Sequence, residues 1–195
     1  TKIRKKIKIL FYFPSWFLSS WTGSIFNEFY FQIGKRNSKK NLVAWDQFFY
    51  PLDSIHGWNR IYGKKGFIQF QCVLPLSQAK EGLNKLLQET SNSNLGSFLG
   101  VLKKFGGQMS KFSFPMEGYT LALDFPVSEK SLKLINRMER IVIDCGGRFY
   151  LTKDSLLSRE LHAESDNRVN DFQVFRKNNN MKSKFVSLQS KRLEI

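Results

Sequence analysis

Two glutamines on one strand are the residues whose spacing first points to chemistry. Residues 67 to 74 alternate in type, which predicts a β-strand whose successive side chains lie on opposite faces. Gln69 and Gln71 share one face, and amides that both donate and accept hydrogen bonds suit a ligand with hydroxyl groups. A solvated strand face would explain the pair equally well. The other face is apolar and is expected in a core: Ile68, Phe70, Cys72 and Leu74.

A glycine-punctuated aromatic loop precedes this strand. It contains Trp58-Asn-Arg60, then Tyr62-Gly63 and Gly66-Phe67. Glycines permit tight turns, and large rings beside them anchor the loop. The loop and strand together predict a rigid polar surface with aromatic walls.

The sequence gives no support for the common hydrolytic sites or for the common nucleotide-binding motifs. No Ser-His-Asp, Cys-His or paired-carboxylate arrangement can be assembled from spacing, and neither a G-x-G-x-x-G nor a P-loop motif occurs. Cys72 and Cys145 sit in apolar contexts without C-x-x-C spacing, which predicts core thiols in a reducing compartment. His56 and His162 have no second metal ligand nearby, so no metal site is predicted. Amides and lysines alone perform no redox step, which needs a cofactor.

The formal net charge of +15, from 31 Lys and Arg against 16 Asp and Glu, fits an ordinary solvated basic surface best and is also compatible with an anionic partner. Nucleic acid, an anionic membrane surface and a phosphorylated substrate are all partners of this kind. The lysines are spread along the chain and no nucleic-acid-binding signature is present, so nucleic acid is the least favoured of the three.

The N-terminal stretch combines basic residues 2–8 with apolar residues 9–13. Pro14 ends the run, no cleavage site follows, and the run is too short to span a bilayer. A helix and linker packed on the domain is expected. An interfacial amphipathic segment anchored by Trp16 and Trp21 is the alternative.

The order of elements predicts the fold class. From residue 67 the patterns indicate strand, helix, strand, strand, helix and strand, with Ser128 capping the second helix. This order suits an α+β fold in which an antiparallel sheet carries its helices on one face. A further helix from Ser24 to Gly34 is expected to bury a stripe of Phe26, Phe29, Tyr30 and Ile33. An extended segment is expected from Val43 to Phe49, and the polar tail from Asp166 to Ile195 is expected to bury little by itself.

Four strings carry a resemblance to a known family, in order and in register. They are Tyr50-Pro-Leu-Asp53, Trp58-Asn-Arg-x-Tyr-Gly63, Gly66-Phe-x-Gln-x-Gln71 and Gly146-Gly-Arg-x-Tyr-x-x-Lys-Asp-Ser155. The chain resembles the flavin-dependent decaprenylphosphoryl-ribose oxidases, within the vanillyl-alcohol-oxidase type group. The resemblance implies FAD, held mostly by an N-terminal domain outside this chain. It also implies that residues 1–147 are the later part of a substrate-binding (cap) domain and that residues 148–195 return to complete the FAD-binding domain.

The resemblance assigns roles to particular residues. Lys153 matches a lysine that approaches both flavin and substrate, and Tyr150 matches a tyrosine that contacts the flavin. Gln71, with Gln69, matches amides that line the sugar site. Lys103 matches a pocket lysine that meets a phosphate or hydroxyl, although a slip of one residue in register would put Lys104 there instead.

Three positions depart from the pattern of the best-known members. Phe49 stands where a tyrosine is expected, Thr120 where an asparagine is expected, and Ala122 where a cysteine is expected. These changes remove a hydroxyl, an amide and a thiol from the wall of the substrate site. They affect the choice of substrate more than the flavin chemistry.

The expected function is oxidation of a sugar hydroxyl in a polyprenylphosphoryl-pentose-like substrate by hydride transfer to FAD. A related sugar-lactone or alditol oxidase is the first alternative, and a basic nucleic-acid- or membrane-binding module without redox activity is the second. The expected partners are a lipid-linked or free sugar, the FAD domain and a partner reductase. A cytoplasmic location, peripheral at the inner membrane, is expected, and the chain alone is expected to be inactive.

Overall fold

The structure, a computed structural model, describes residues 7–36, 45, 49–107 and 111–195. Most of the extended segment expected between Val43 and Phe49 therefore lies outside the described residues. Within them, a short parallel pair joins β1 (Ile7–Lys8) to β2 (Ile55–His56). The aromatic loop contains 3-10 turns at Pro51–Ser54 and Trp58–Tyr62.

The main element is a four-stranded antiparallel sheet in the order β4-β5-β3-β6. Its strands are β3 (Phe67–Pro75), β4 (Gly100–Phe105), β5 (Gly118–Pro126) and β6 (Arg148–Phe149). The predicted alternation is confirmed, because the apolar side chains of β3 and β5 lie together in one core. Cys72 and Cys145 are free and buried, and burial raises the pKa of Cys72 to about 12.

Two helices cover one face of the sheet. They are α2 (Leu76–Asn92) and α3 (Glu129–Asp144), and each follows its strand directly. The Ser128 hydroxyl accepts from the Ser131 backbone N–H at 3.1 Å, which confirms the predicted cap. Leu86, Leu134 and Met138 are fully buried against the sheet. The α+β class with helices on one face of the sheet is confirmed.

Close backbone contacts fix the ends of the central strands. A Cβ at Gly118 would lie 2.0 Å from the Leu74 carbonyl oxygen, and one at Gly147 would lie 2.6 Å from the Val73 carbonyl oxygen. Only glycine permits such approaches. These two positions therefore hold β5 and the start of β6 tightly against β3.

The C-terminal part buries more than the sequence indicated. It contains α4 (Arg159–Ser165), α5 (Val169–Asn178), α6 (Met181–Lys184) and α7 (Leu188–Leu193). Within the predicted tail, Leu193 joins the core formed by the sheet and its helices, and Val169 is also buried. The expectation that the tail buries little is wrong at these positions, because sparse apolar residues on short helices still reach the core.

The first helix shows the clearest departure from expectation. α1 spans Ser20–Arg36, so it begins before Ser24 and passes through Gly34. Its apolar stripe is not core: Phe29 is 67% exposed and Tyr30 is 69% exposed. Helical spacing identifies an apolar face but not what covers it, and no part of the described chain covers this one.

Candidate functional site

The face of the sheet away from α2 and α3, here called the open face, gathers most of the predicted site residues. Strand pairing sets Lys103 opposite Thr120, Val101 opposite Ala122, and Gln71 opposite Ala122. Tyr150 joins the same row, since its backbone N–H donates to the Gln71 carbonyl at 2.9 Å. Antiparallel partners point to the same side of a sheet. The open face therefore carries Gln69, Gln71, Lys103, Thr120, Ala122 and Tyr150, and of these Thr120 and Ala122 are buried beneath their neighbours.

A short hydrogen-bond chain fixes the orientation of Gln71. The Thr120 hydroxyl donates to the Cys72 carbonyl at 2.8 Å, so it accepts from the Gln71 amide nitrogen at 3.1 Å. Thr120 is buried, and its one proton is already committed. The side-chain carbonyl of Gln71 is consequently left to accept a hydrogen bond from a ligand.

Gln69 is held in the same manner at the neighbouring row. Its amide nitrogen donates to one oxygen of Asp124 at 3.1 Å, and the Tyr62 hydroxyl lies 3.5 Å from the other. Asp124 is buried, and burial raises its pKa although Gln69, Lys153 and Tyr62 each act to lower it. Burial and the Asp124 charge together raise the pKa of Tyr62. The carbonyl oxygens of both glutamines make no hydrogen bond with the described residues, so they are left to accept hydrogen bonds from a ligand.

Lys153 lies at the same end of the open face as Asp124. It ends a 3-10 turn, Leu151–Lys153, that follows Tyr150 directly. The Lys153 charge is close enough to lower the pKa of Asp124. Asp124 pairs with Gln69 across the β3–β5 ladder, so Lys153 and the two amides face one region. A fixed cation beside two hydroxyl acceptors can stabilise negative charge that develops on a bound group.

Asp154 holds the turn that carries Lys153. Its Oδ1 accepts from the backbone N–H groups of Leu156 and Leu157 at 2.9 and 2.8 Å. Its Oδ2 lies 2.7 Å from the Arg192 guanidinium, which comes from α7. Gln189, also on α7, donates to the Leu151 carbonyl at 2.5 Å. The C-terminal helix therefore fixes the Lys153 turn against the sheet.

The structure distinguishes Lys103 from its neighbour. Lys103 pairs with Thr120 on the open face, whereas Lys104 pairs with Tyr119 and takes the opposite side of β4. Phe49 lies outside the sheet, ahead of the first 3-10 turn of the aromatic loop, and is 67% exposed. The substrate role of Phe49 stays a prediction, as do the roles of Lys103, Thr120 and Ala122.

Two site residues were missed by the sequence reasoning. Asp124 and Tyr62 position Gln69, but they are distant from it in sequence. The alternation of β5 already places Asp124 on the same side as Thr120 and Ala122. That pattern could have identified the carboxylate, although not its glutamine partner, because the partner depends on strand register.

The chemistry of this face fits a flavin as a covering group. A planar ring system with carbonyl oxygens would meet Lys153 and the aromatic ring of Tyr150, and Lys153 can balance the charge of a reduced ring. In the described part of the chain, no group of three or more His, Cys, Asp or Glu residues could hold a metal ion. A search of the same residues finds no helix long and apolar enough to cross a membrane.

The fold and site define an α+β protein in which one face of the sheet carries a row of polar side chains. The chain is 34% identical over 161 residues to the decaprenylphosphoryl-beta-D-ribose oxidase of Mycolicibacterium smegmatis, which confirms the resemblance seen in the four strings. The match covers 82% of this chain and 34% of that protein. An uncharacterized protein in the mprA 5'region of Streptomyces coelicolor is 28% identical over 146 residues, covering 74% of this chain and 39% of the relative. The chain thus spans little more than a third of these relatives, and no family model matches it.

Proposed function

We propose that this chain forms the substrate-facing wall of an FAD-dependent oxidoreductase that oxidises a sugar hydroxyl. The substrate is a polyprenylphosphoryl pentose or a close relative, and FAD is held mostly by a further domain. The observation that carries the proposal is the orientation of Gln69 and Gln71. Both amide nitrogens are hydrogen-bonded within the sheet, so two carbonyl oxygens, two residues apart on one strand, are left as acceptors. A sugar with several hydroxyl groups needs acceptors of this kind.

The chain's own residues would bind and orient the sugar. Oxidation of a carbinol removes a hydride from carbon and a proton from oxygen, and the bound flavin would accept the hydride. Gln71 would accept a hydrogen bond from a sugar hydroxyl and so fix which carbon faces the flavin. Lys153, held by the Asp154 turn, would stabilise the negative charge that forms on flavin reduction.

A chimera tests this function directly. The chain would replace the matched third of the Mycolicibacterium smegmatis oxidase, and flavin bleaching would be followed without oxygen. We expect bleaching by a prenylphosphoryl pentose, slower bleaching by a free pentose, and a marked loss of rate in Lys153→Met. A chimera that binds FAD stoichiometrically yet is bleached by a sugar lactone or alditol in preference would favour the alternative oxidase. A chimera bleached by none of these substrates would refute the proposal. We expect the chain alone to purify colourless and inactive.

We further propose that α1 contacts an anionic membrane surface, where a lipid-linked sugar would be found. This helix carries exposed aromatic residues and ends in Lys35 and Arg36, and a further cation, Lys8, lies in β1. Aromatic side chains favour the membrane interface, and cations attract anionic headgroups. The exposed apolar residues of α1 are Trp21, Ile25, Phe26, Phe29, Tyr30, Phe31 and Ile33.

Vesicle sedimentation tests the membrane contact. The chain should sediment with vesicles of phosphatidylglycerol and phosphatidylcholine, and much less with phosphatidylcholine alone. Phe29→Ser should weaken sedimentation, whereas Leu188→Ser, at a still more exposed position on α7, should not. Equal loss in both variants, or self-association that depends on Phe29 and occurs without vesicles, would contradict the proposal.

A further inference from the structure

A cavity lies beside the open face, between β6, α4 and α5. This cavity, here called the β6 cavity, has a volume of about 240 Å³. It shares Tyr150 with the open face, and aromatic rings of Phe112, Phe114 and Phe172 form much of its wall. The Phe114 and Tyr150 rings lie 4.7 Å apart, and the Phe112 and Phe172 rings lie 5.0 Å apart. The cavity is therefore apolar over most of its surface.

Two arginines line the β6 cavity, and only one of them is neutralised. Arg168 binds both oxygens of Asp166 at 2.7 and 2.8 Å and also donates to the carbonyls of Lys111 and Ser113. Arg148 is paired with Val73 through its strand, but its guanidinium makes no hydrogen bond or close ion pair with any residue that the structure describes. Burial and the nearby charge of Arg168 lower the pKa of Arg148, although Asp166 opposes this. The lining thus keeps one positive charge in excess.

His162 adds an unsatisfied polar group to the same lining. Its side chain is 7% exposed, and its Nδ1 has no hydrogen-bond partner among the described residues. Burial lowers the pKa of His162, which favours the neutral imidazole with one N–H donor and one acceptor nitrogen. A buried polar atom without a partner is costly, and a bound ligand would remove that cost.

From these features we propose that the β6 cavity binds the phosphate of a prenyl phosphate. The guanidinium of Arg148 binds the oxyanion, His162 donates a further hydrogen bond, and the aromatic walls contact the first carbons of the prenyl chain. A guanidinium binds phosphate through two parallel N–H groups, which explains an arginine that is left without a protein partner. The volume equals that of about eight liquid waters, enough for the phosphate and part of one prenyl unit.

The proposal rests on the proposed function, because it identifies which part of a lipid-linked sugar meets which part of the chain. Arg148 faces Val73 on β3, and Val73 faces Thr120 on β5. The cation therefore occupies the row that also contains Lys103, two residues from the row of Gln71 and Tyr150. A phosphate at Arg148 leaves the sugar beside Gln71 and directs it towards Lys153.

Calorimetric titration of this chain with three probes tests the site. The probes are geranyl phosphate, inorganic phosphate and geraniol. Geranyl phosphate should bind most tightly, and Arg148→Gln should weaken it about 10- to 100-fold, the loss of hydrogen bonds to a charged group. The affinity of Arg148→Lys should lie between those of the original chain and Arg148→Gln. This conservative variant guards against a loss of binding that comes only from misfolding. Arg140→Gln makes the same charge change at an exposed ion pair and should bind as the original chain does.

The two histidines supply a second readout. Imidazole nitrogen NMR signals of His162 should move when geranyl phosphate binds, whereas those of His56, in β2, should stay in place. Unchanged affinity in Arg148→Gln, or unmoved His162 signals, would overturn the site. Equal affinity for inorganic phosphate would overturn the prenyl contact, and equal affinity for geraniol would overturn the phosphate contact. No flavin or sugar takes part, so the failure of this experiment is distinct from a failure of flavin bleaching in the chimera.

Discussion

Asp154 offers the most informative single substitution, because it holds the turn that carries Lys153. Its side chain is 11% exposed and accepts two backbone N–H groups in addition to the Arg192 guanidinium. Asp154→Ala leaves these three donors, and the more distant amide of Gln189 at 3.4 Å, without this partner. Removing one member of a partly buried ion pair, with its backbone contacts, should cost about 3 to 5 kcal/mol.

Urea unfolding followed by circular dichroism measures this cost. With a slope of about 2 kcal/mol per molar urea, the midpoint should fall by about 1.5 to 2.5 M at unchanged slope. Asp154→Asn keeps an acceptor for the backbone groups but loses the charge opposite Arg192, so its loss should be smaller. Because Arg192 lies on α7, the position of this turn also depends on that helix.

A surface ion pair provides the matched control. Arg140 and Glu164 form a pair at 2.9 Å, but their side chains are 59% and 51% exposed. Glu164→Ala should therefore cost less than about 1 kcal/mol. Equal midpoint shifts for Asp154→Ala and Glu164→Ala would refute the reasoning that Asp154 fixes the turn.

Two further predictions concern the core. Burial, with the charge of Asp154, raises the pKa of Glu139 from 4.5 to about 7. The unfolded chain loses this proton at lower pH than the folded chain does, so the free energy of unfolding should fall as pH rises from about 4.5 to 7 and level off above. In urea unfolding, Glu139→Gln should remove that part of the decline. An unchanged pH profile in the variant would show that Glu139 does not cause it. Gly118→Ala should lower the free energy of unfolding by more than about 2 kcal/mol, because the new Cβ would meet the Leu74 carbonyl. Gly107→Ala, with nothing within 4 Å of its Cβ, should cost far less in thermal unfolding. Similar losses of stability in the two variants would show that the contact with the Leu74 carbonyl does not require glycine at position 118.

The sequence was sufficient to predict the sheet and the two helices that cover it. Alternation in β3 and β5, and the cap at Ser128, are local patterns with a direct structural meaning. They also place Gln69 and Gln71 on one face, away from the core. The periods of 2 and 3.6 residues were enough to give this part of the fold.

Partners across the fold were not available from local patterns. Lys103 and Lys104 differ only by the register of β4 on β5, and the contact between Gln69 and Asp124 depends on the register of β3 on β5. The stripe on α1 was wrongly expected in the core, because spacing cannot show whether another element covers a face. Arg148 was not predicted from the sequence, because its proposed role depends on a guanidinium that has no hydrogen-bond or ion-pair partner among the described residues.

The register of β4 gives the most direct test of the open face as the substrate wall. In the flavin-bound chimera, Lys103→Ala and Lys104→Ala would be compared by the rate of anaerobic flavin bleaching with a prenylphosphoryl pentose. Only Lys103 shares the face of Gln71, so Lys103→Ala should slow bleaching about tenfold or more while Lys104→Ala leaves it unchanged. Equal rates in the two variants, or a loss confined to Lys104→Ala, would contradict the assignment of this face.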